Sequence, residues 1–150
     1  MTNTASFSST TARHSLPLLF AGQAQKEFVV NEALARLDLL TQPSVVDERA
    51  DPPAGAIAGD CYLIAANATG EWMGNDGALA GWDGTQWTMV AAMEGMLIRD
   101  TSQSTWLVFS NGWQRLAAPA EPSGGSVVDV EARDALANLL AALKEFGLFS

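Results

Sequence analysis

Cysteine, histidine and tyrosine each occur once in this chain, at Cys61, His14 and Tyr62, and only eight of its 150 residues are lysine or arginine. A single cysteine excludes an intramolecular disulfide, and its place in the apolar run 61–66 predicts a buried thiol. With one histidine, placed in the N-terminal arm, Ser-His-Asp, Cys-His and multi-histidine metal sites are not expected within one chain. Nowhere do 18 apolar residues run together, so no membrane insertion is expected. The start, MTNTASFSSTTARHS, has no apolar core of a signal peptide, which predicts synthesis in the cytoplasm without export by a standard signal.

Basic charge is scarce in every part. Residues 1–40 carry three acids and three bases, 41–120 nine and three, and 121–150 five and two, for a net charge of −9. Without a basic stretch, a nucleic-acid backbone or an anionic membrane is not an expected partner. A P-loop string, a dinucleotide fingerprint and a cysteine cluster are also missing. Asp47, Glu48 and Asp51 are interrupted by Arg49, and Asn75-Asp76-Gly77 lacks the spaced ligands and closing glutamate of a calcium loop. The expectation is no catalytic residue, no metal site and no cofactor. An acid-dependent glycoside hydrolase survives only as a check, because any acidic protein can supply two carboxylates.

What is present begins with the stretch 16–40. Plotted at about 100° per residue, a helix over 23–40 has two apolar faces. Val29, Val30, Ala33, Leu34, Leu37 and Leu40 make a wide one; Ala24, Phe28, Ala35 and Leu39 make a narrower one opposite. Glu32 precedes Arg36 by one turn, the favourable order for a helical ion pair. Two apolar faces need two covers. Leu34 is expected in the core, and Phe28 and Leu39 at an oligomer interface.

The strings Leu16-Pro17, Gln23-Ala24-Gln25-Lys26, Asn31-Glu32-Ala33-Leu34 and Arg36-Leu37-Asp38 resemble an uncharacterised-domain family found in tail-fibre proteins of prophages and gene transfer agents. The resemblance continues through Gly59-Asp60-Cys61-Tyr62-Leu63-Ile64, Ala68-Thr69-Gly70-Glu71-Trp72 and Trp82-Asp83-Gly84-Thr85-Gln86-Trp87, and so spans about positions 16–116. It implies a virion tail component and brings no catalytic residues.

Residues 1–15, rich in Ser and Thr, read as a flexible N-terminal arm. After Leu40, Pro43 and then Asp51-Pro52-Pro53 break regular structure, with a short strand at 44–46 between them. From Gly59 onward the period shortens. Strands are expected at 62–65, 71–73, 78–82, 86–91, 96–99, 105–109 and 113–116, joined by turns such as Asp83-Gly84 and Asn111-Gly112 that supply positive φ. The result is a small antiparallel meander.

Trp72, Trp82, Trp87, Trp106 and Trp113 all fall in that meander. Indole rings either fill a thin core, where an N–H can find a backbone acceptor, or stack on sugar rings as glycan contacts. The spacing does not separate the two readings. Trp82 and Trp87 flank a hairpin and pair across it if its loop is four residues long.

Residues 117–126, AAPAEPSGGS, read as a linker. Beyond it Asp129 is a helix N-cap, Lys144 suits the negative end and Gly147 can stop the helix. Ala132, Leu136, Leu139, Leu143 and Phe146 have heptad spacing, with apolar Ala135, Leu140 and Ala142 flanking them. These five residues are expected to form an oligomer interface, most simply a short trimeric coiled coil; a helix folded back on its own domain is the alternative.

The expected fold is α+β: an arm at 1–15, a helix packed on a small antiparallel β-meander at 16–116, a linker at 117–126 and an oligomerisation helix at 127–150. The expected function is a non-enzymatic tail-fibre or tail-tip protein in the virion tail, a homo-oligomer that joins another tail or baseplate protein to host attachment. The second reading is a carbohydrate-binding module that contacts host cell-surface polysaccharide through its tryptophans.

Overall fold

In the computed structural model, which describes residues 9–125 and 129–149, the arm is already folded at Ser9. Thr10 bridges Pro17, Thr11 N–H donates to the Leu16 carbonyl (2.9 Å), and Leu18 N–H donates to that of Ser9 (3.1 Å). The flexible arm expected over 1–15 is therefore corrected from residue 9 onward; residues 1–8 lie outside the described residues. The physical reason is Asp38. This buried carboxylate accepts from Thr11 Oγ1 (2.7 Å), Arg13 N–H (2.8 Å) and His14 N–H (2.8 Å), all three from the arm. A buried charge without such donors would be costly. Arg13 and His14 then use their side chains on the carbonyls of Leu39 (3.3 Å) and Thr41 (2.9 Å), the unsatisfied acceptors at a helix C-terminus.

Helix α1 spans Lys26–Leu40. It starts later than the expected residue 23 because Ala24 and Gln25 sit in the left-handed region, at φ 56° and 65°. Its first turns are tied to the preceding segment by Glu27, whose Oε1 accepts from Gly22 N–H (3.1 Å), and by Asn31, whose side-chain amide bonds both backbone groups of Leu19 (2.8 and 3.1 Å). The Glu32–Arg36 pair forms at 2.6 Å with both side chains exposed, where such pairs contribute little.

The strands are β1 (Ser44–Val45), β2 (Glu48–Arg49), β3 (Cys61–Ile64), β4 (Leu79–Trp82), β5 (Trp87–Val90), β6 (Leu97–Asp100), β7 (Thr105–Phe109) and β8 (Trp113–Arg115). With the helices they make the expected α+β fold, but the strands divide between two sheets. In the first the order is β2-β3-β4-β5, and β2 runs parallel to β3. The strand expected at 71–73 is a 3-10 turn, Gly70–Trp72. Gly70 takes φ 60°, and the turn carries the Trp72 indole inward.

Side-chain alternation gives this sheet two buried faces. On one, Tyr62, Ile64, Ala68, Trp72, Ala78 and Ala80 form a cluster, with Trp87 and Met89 packed at its edge. The residues that alternate with these, Cys61, Leu63, Leu79 and Gly81, are buried on the other. There Leu39 of α1 occupies the space above Gly81, where an added Cβ would overlap its side chain and lie only 2.9 Å from its Cγ. Leu39 is 5% exposed within its own chain. Its expected role at an oligomer interface is corrected: the missing side chain at Gly81 admits it to the core. Leu34 is only partly buried, whereas Phe28 is 72% exposed and Val29, Val30 and Leu37 are exposed with it.

The chain divides into two compact units, Met1–Ala92 and Met93–Ser150. That boundary falls inside the segment expected as one domain, and the 117–126 linker belongs to the second unit. In this unit β7 lies between β6 and β8, antiparallel to both, around buried Ile98 and Leu107. Helix α2 spans Val130–Glu145. The Asp129 side chain caps it by accepting from Ala132 N–H (2.9 Å), and Gly147, at φ 83°, ends it, with Leu148 N–H returning to the Leu143 carbonyl (2.9 Å).

Two measurements check this packing. Leu39→Ala is expected to cost about 2–5 kcal/mol and Gly81→Ala about 1–3 kcal/mol in denaturant unfolding, with the double variant less destabilised than their sum because the smaller residue 39 makes room for the new methyl; strict additivity would mean that the two do not touch. Asp38→Ala should release the arm. Trypsin cleavage after Arg13 should then become fast under native conditions, and a rate equal to that of the parent would show that Asp38 is not what holds it.

Candidate functional site

The tryptophans were the sequence's candidates for ligand contact, and the fold sorts them. Trp72 is 0% exposed, between Tyr62 (ring centroids 5.8 Å apart) and Trp87 (5.0 Å), which corrects its candidacy as a glycan contact. Among the described residues its buried indole N–H has no hydrogen-bond partner. Trp82 and Trp87 are directly opposite in the β4–β5 register and pair at 4.9 Å, as the four-residue loop required. Both remain partly accessible. In the second unit Trp106 lies under the Arg99 guanidinium, 5.6 Å from the ring centroid, and Trp113 meets Phe109 edge-on at 5.3 Å.

The β4–β5 hairpin forms one side of an open cleft of about 790 Å³ in the first unit, while the Trp82 and Trp87 rings turn to the other face of the sheet, where Trp87 meets Tyr62 and Trp72. The arm and α1 supply the rest, with Phe28 and Asn31 among the lining residues. Glu27 also lines it, buried, with Oε2 unpartnered among the described residues. Sequence reasoning missed this cleft. Its walls come from three segments, and the arm that helps close it was expected to be flexible.

A second depression, about 300 Å³ and almost wholly apolar, lies in the second unit, lined by Leu97, Trp106, Val108 and Leu116 of the sheet region and by Phe146 and Leu148 at the end of α2. Trp106 N–H donates to the Gly147 carbonyl (2.9 Å) and Arg99 Nη1 to that of Phe146 (3.4 Å), so the end of α2 is fixed to this sheet. The body of α2 is not: no residue within it is buried. Of the stripe residues, Ala132, Leu136, Leu139 and Phe146 are exposed, Leu139 at 54%, and Leu143 is partly buried.

The titratable groups are mostly engaged in holding turns. Asp83 accepts from Thr85 N–H (2.7 Å), Thr85 Oγ1 (2.8 Å) and Gln86 N–H (2.8 Å). Asp100 does the same one hairpin later, with Ser102 N–H (2.9 Å), Ser102 Oγ (2.6 Å) and Gln103 N–H (3.3 Å), and adds an ion pair to Arg115. Burial acts to raise the pKa of both carboxyls, but these donors outweigh it and hold both below the ordinary value. Asp76 accepts from Asn67 N–H and Ala68 N–H (both 3.0 Å), which closes the turn that brings Trp72 inward. Burial pushes the Cys61 thiol up to about 11, so it stays protonated and unreactive; burial and the bond to Asp60 push Tyr62 to about 12. Among the described residues no three His, Cys, Asp or Glu are placed to hold a metal, and no helix is long and apolar enough to cross a membrane.

In class, this is an α+β module of two short-stranded sheets that carries one amphipathic cleft and one bare helical stripe. The chain belongs to the family described as "Protein of unknown function (DUF2793)", whose model matches residues 30–115, more than half of the chain. No curated protein and no solved structure matches it significantly.

The Asp100 arrangement sets a pH dependence. A carboxyl whose folded pKa lies below its unfolded value, 3.8, contributes stability that is present above that value and lost as pH falls through the folded one. Asp100→Asn is expected to cost about 3 kcal/mol at pH 7, since it leaves Arg115 facing a neutral group in a buried site. The cost should shrink as both proteins are acidified from about pH 5 toward pH 2. A gap in melting temperature that is constant over that range would rule out the ionised form as the stabilising one.

Proposed function

We propose that this protein is a non-enzymatic structural component of a phage-like particle, a tail-fibre or tail-tip protein that assembles as a homo-oligomer, with a trimer favoured, and joins another tail or baseplate protein to host attachment. The observation that carries the assembly part is α2: a 16-residue helix, capped at both ends, with no buried residue and a bare stripe of Leu136, Leu139 and Phe146. An isolated helix of this length is marginal in water, so its order depends on packing. The particle part rests on the resemblance of the strings in 16–116 to domains of prophage and gene transfer agent tail fibres. The second reading, a module that contacts cell-surface polysaccharide, is favoured by the partly accessible Trp82–Trp87 pair on the β4–β5 hairpin.

The first reading is tested by mass in solution. The full chain is expected to sediment as a trimer, and Leu139→Glu to sediment as a monomer with the melting transition of the β-structure retained. A monomeric parent chain would sink the assembly proposal. Absence of the protein from purified particles of the strain that encodes it would sink the tail assignment, whatever its mass.

A further inference from the structure

The bonds between the arm and α1 run in opposite order along the two segments. Residues 11–14 meet Asp38, Leu39 and Thr41, Leu19 meets Asn31, and Gly22 meets Glu27. The arm is thus one leg of a hairpin folded back along α1, and its bend is 23–25. That bend is strained at two consecutive residues other than glycine, Ala24 at φ 56° and Gln25 at φ 65°. Gln25 caps α1 without a side-chain bond, and Lys26 puts a positive charge at the helix's positive end. Gln23, Ala24 and Gln25 are all good helix formers, so continuing α1 backward through them would remove the strain and move the helix start away from Lys26.

Straightening the bend lifts the arm off its own helix, but the bonds to Asp38, Leu39, Thr41 and Asn31 do not depend on which chain supplies the arm. An arm from a second copy can make all of them again, and a strained hinge favours such an exchange. Large apolar side chains stand exposed on both sides of the bend, Leu19 and Phe20 before it, Phe28 and Val29 after it, the last two at 72% and 73%. That is where the straightened segments of two copies would cross, and contact there would cover surface that the single chain leaves bare. We propose that in the assembled oligomer each copy lays residues 9–19 on α1 of a neighbouring copy, with 23–25 continuing α1 as helix. The inference rests on the homo-oligomer reading above. Copies held together through α2 meet one another's arms at high effective concentration; a lone chain closes its arm on its own helix.

The test uses the full chain with Cys61→Ser, Leu19→Cys and Asn31→Cys, a thiol pair where arm and helix meet. The oligomer is oxidised and run on a denaturing, non-reducing gel. Disulfides between chains are expected, in species up to the full oligomer. Ala24→Gly with Gln25→Gly relieves the closed bend and should lower the ratio of between-chain to within-chain disulfide by about tenfold or more. Adding Leu139→Glu, which separates the copies, should return the disulfide to single chains. The unmodified chain supplies a second readout that needs no thiol. An oligomer co-refolded from isotope-labelled and unlabelled copies should show NOEs between chains from Thr11 to Asp38, which bond at 2.7 Å. An oligomer whose Thr11–Asp38 NOEs arise only within chains, or whose disulfides are confined to single chains, overturns the exchange and leaves assembly through α2 standing. A monomeric parent chain overturns both.

Discussion

The carboxylate of Asp38 is the constraint on which the first unit depends. It is buried at the end of α1, and every donor that makes its burial tolerable comes from residues 11–14. The next residue along the helix is Leu39, fitted over Gly81. Two consecutive positions thus fasten the arm to the helix and the helix to the sheet. One side chain of the arm continues the connection, since Arg13 reaches Ser44 of β1 at 2.7 Å. The arm is therefore part of the fold, and it helps to wall the cleft.

The same chemistry recurs and accounts for much of the acidic excess. Asp60, Asp76, Asp83, Asp100 and Asp129 all accept backbone N–H groups in turns or at a helix start. Asp83 and Asp100 use one device in two hairpins of different units: a carboxylate takes the N–H and hydroxyl two residues on and the N–H of a glutamine three residues on. Short strands supply few ladder bonds, so such turns carry a large share of the order. Net charge of −9 then records turn construction before it records any partner.

Where a signal is local, the sequence could be read. Asp129 as a cap, Gly147 as a stop, the Trp82–Trp87 pair and most strand positions each follow from residues within one turn or hairpin. Where the deciding residue is distant, it could not. Apolar residues lie on two sides of α1, so helical angle alone cannot say which side meets the sheet; Gly81, over forty positions away, decides it. The parallel β2–β3 pairing involves two-residue stretches too short for any period. Residues 9–15 look like a polar tail until the carboxylate they surround is known.

Bare apolar surface at helical spacing stands on both helices. On the sheet of the first unit both faces are buried, yet Phe28, Val29 and Leu37 on α1 and Leu136, Leu139 and Phe146 on α2 stand in water. Isolated exposed apolar residues need no explanation, but runs at helical spacing on two helices do. Both helices are already fixed at their ends, α1 by the Asp38 group and α2 by Gly147 against β7, so a partner that covered their sides would find them ordered in advance and lose little entropy in binding. That favours assembly through the helices.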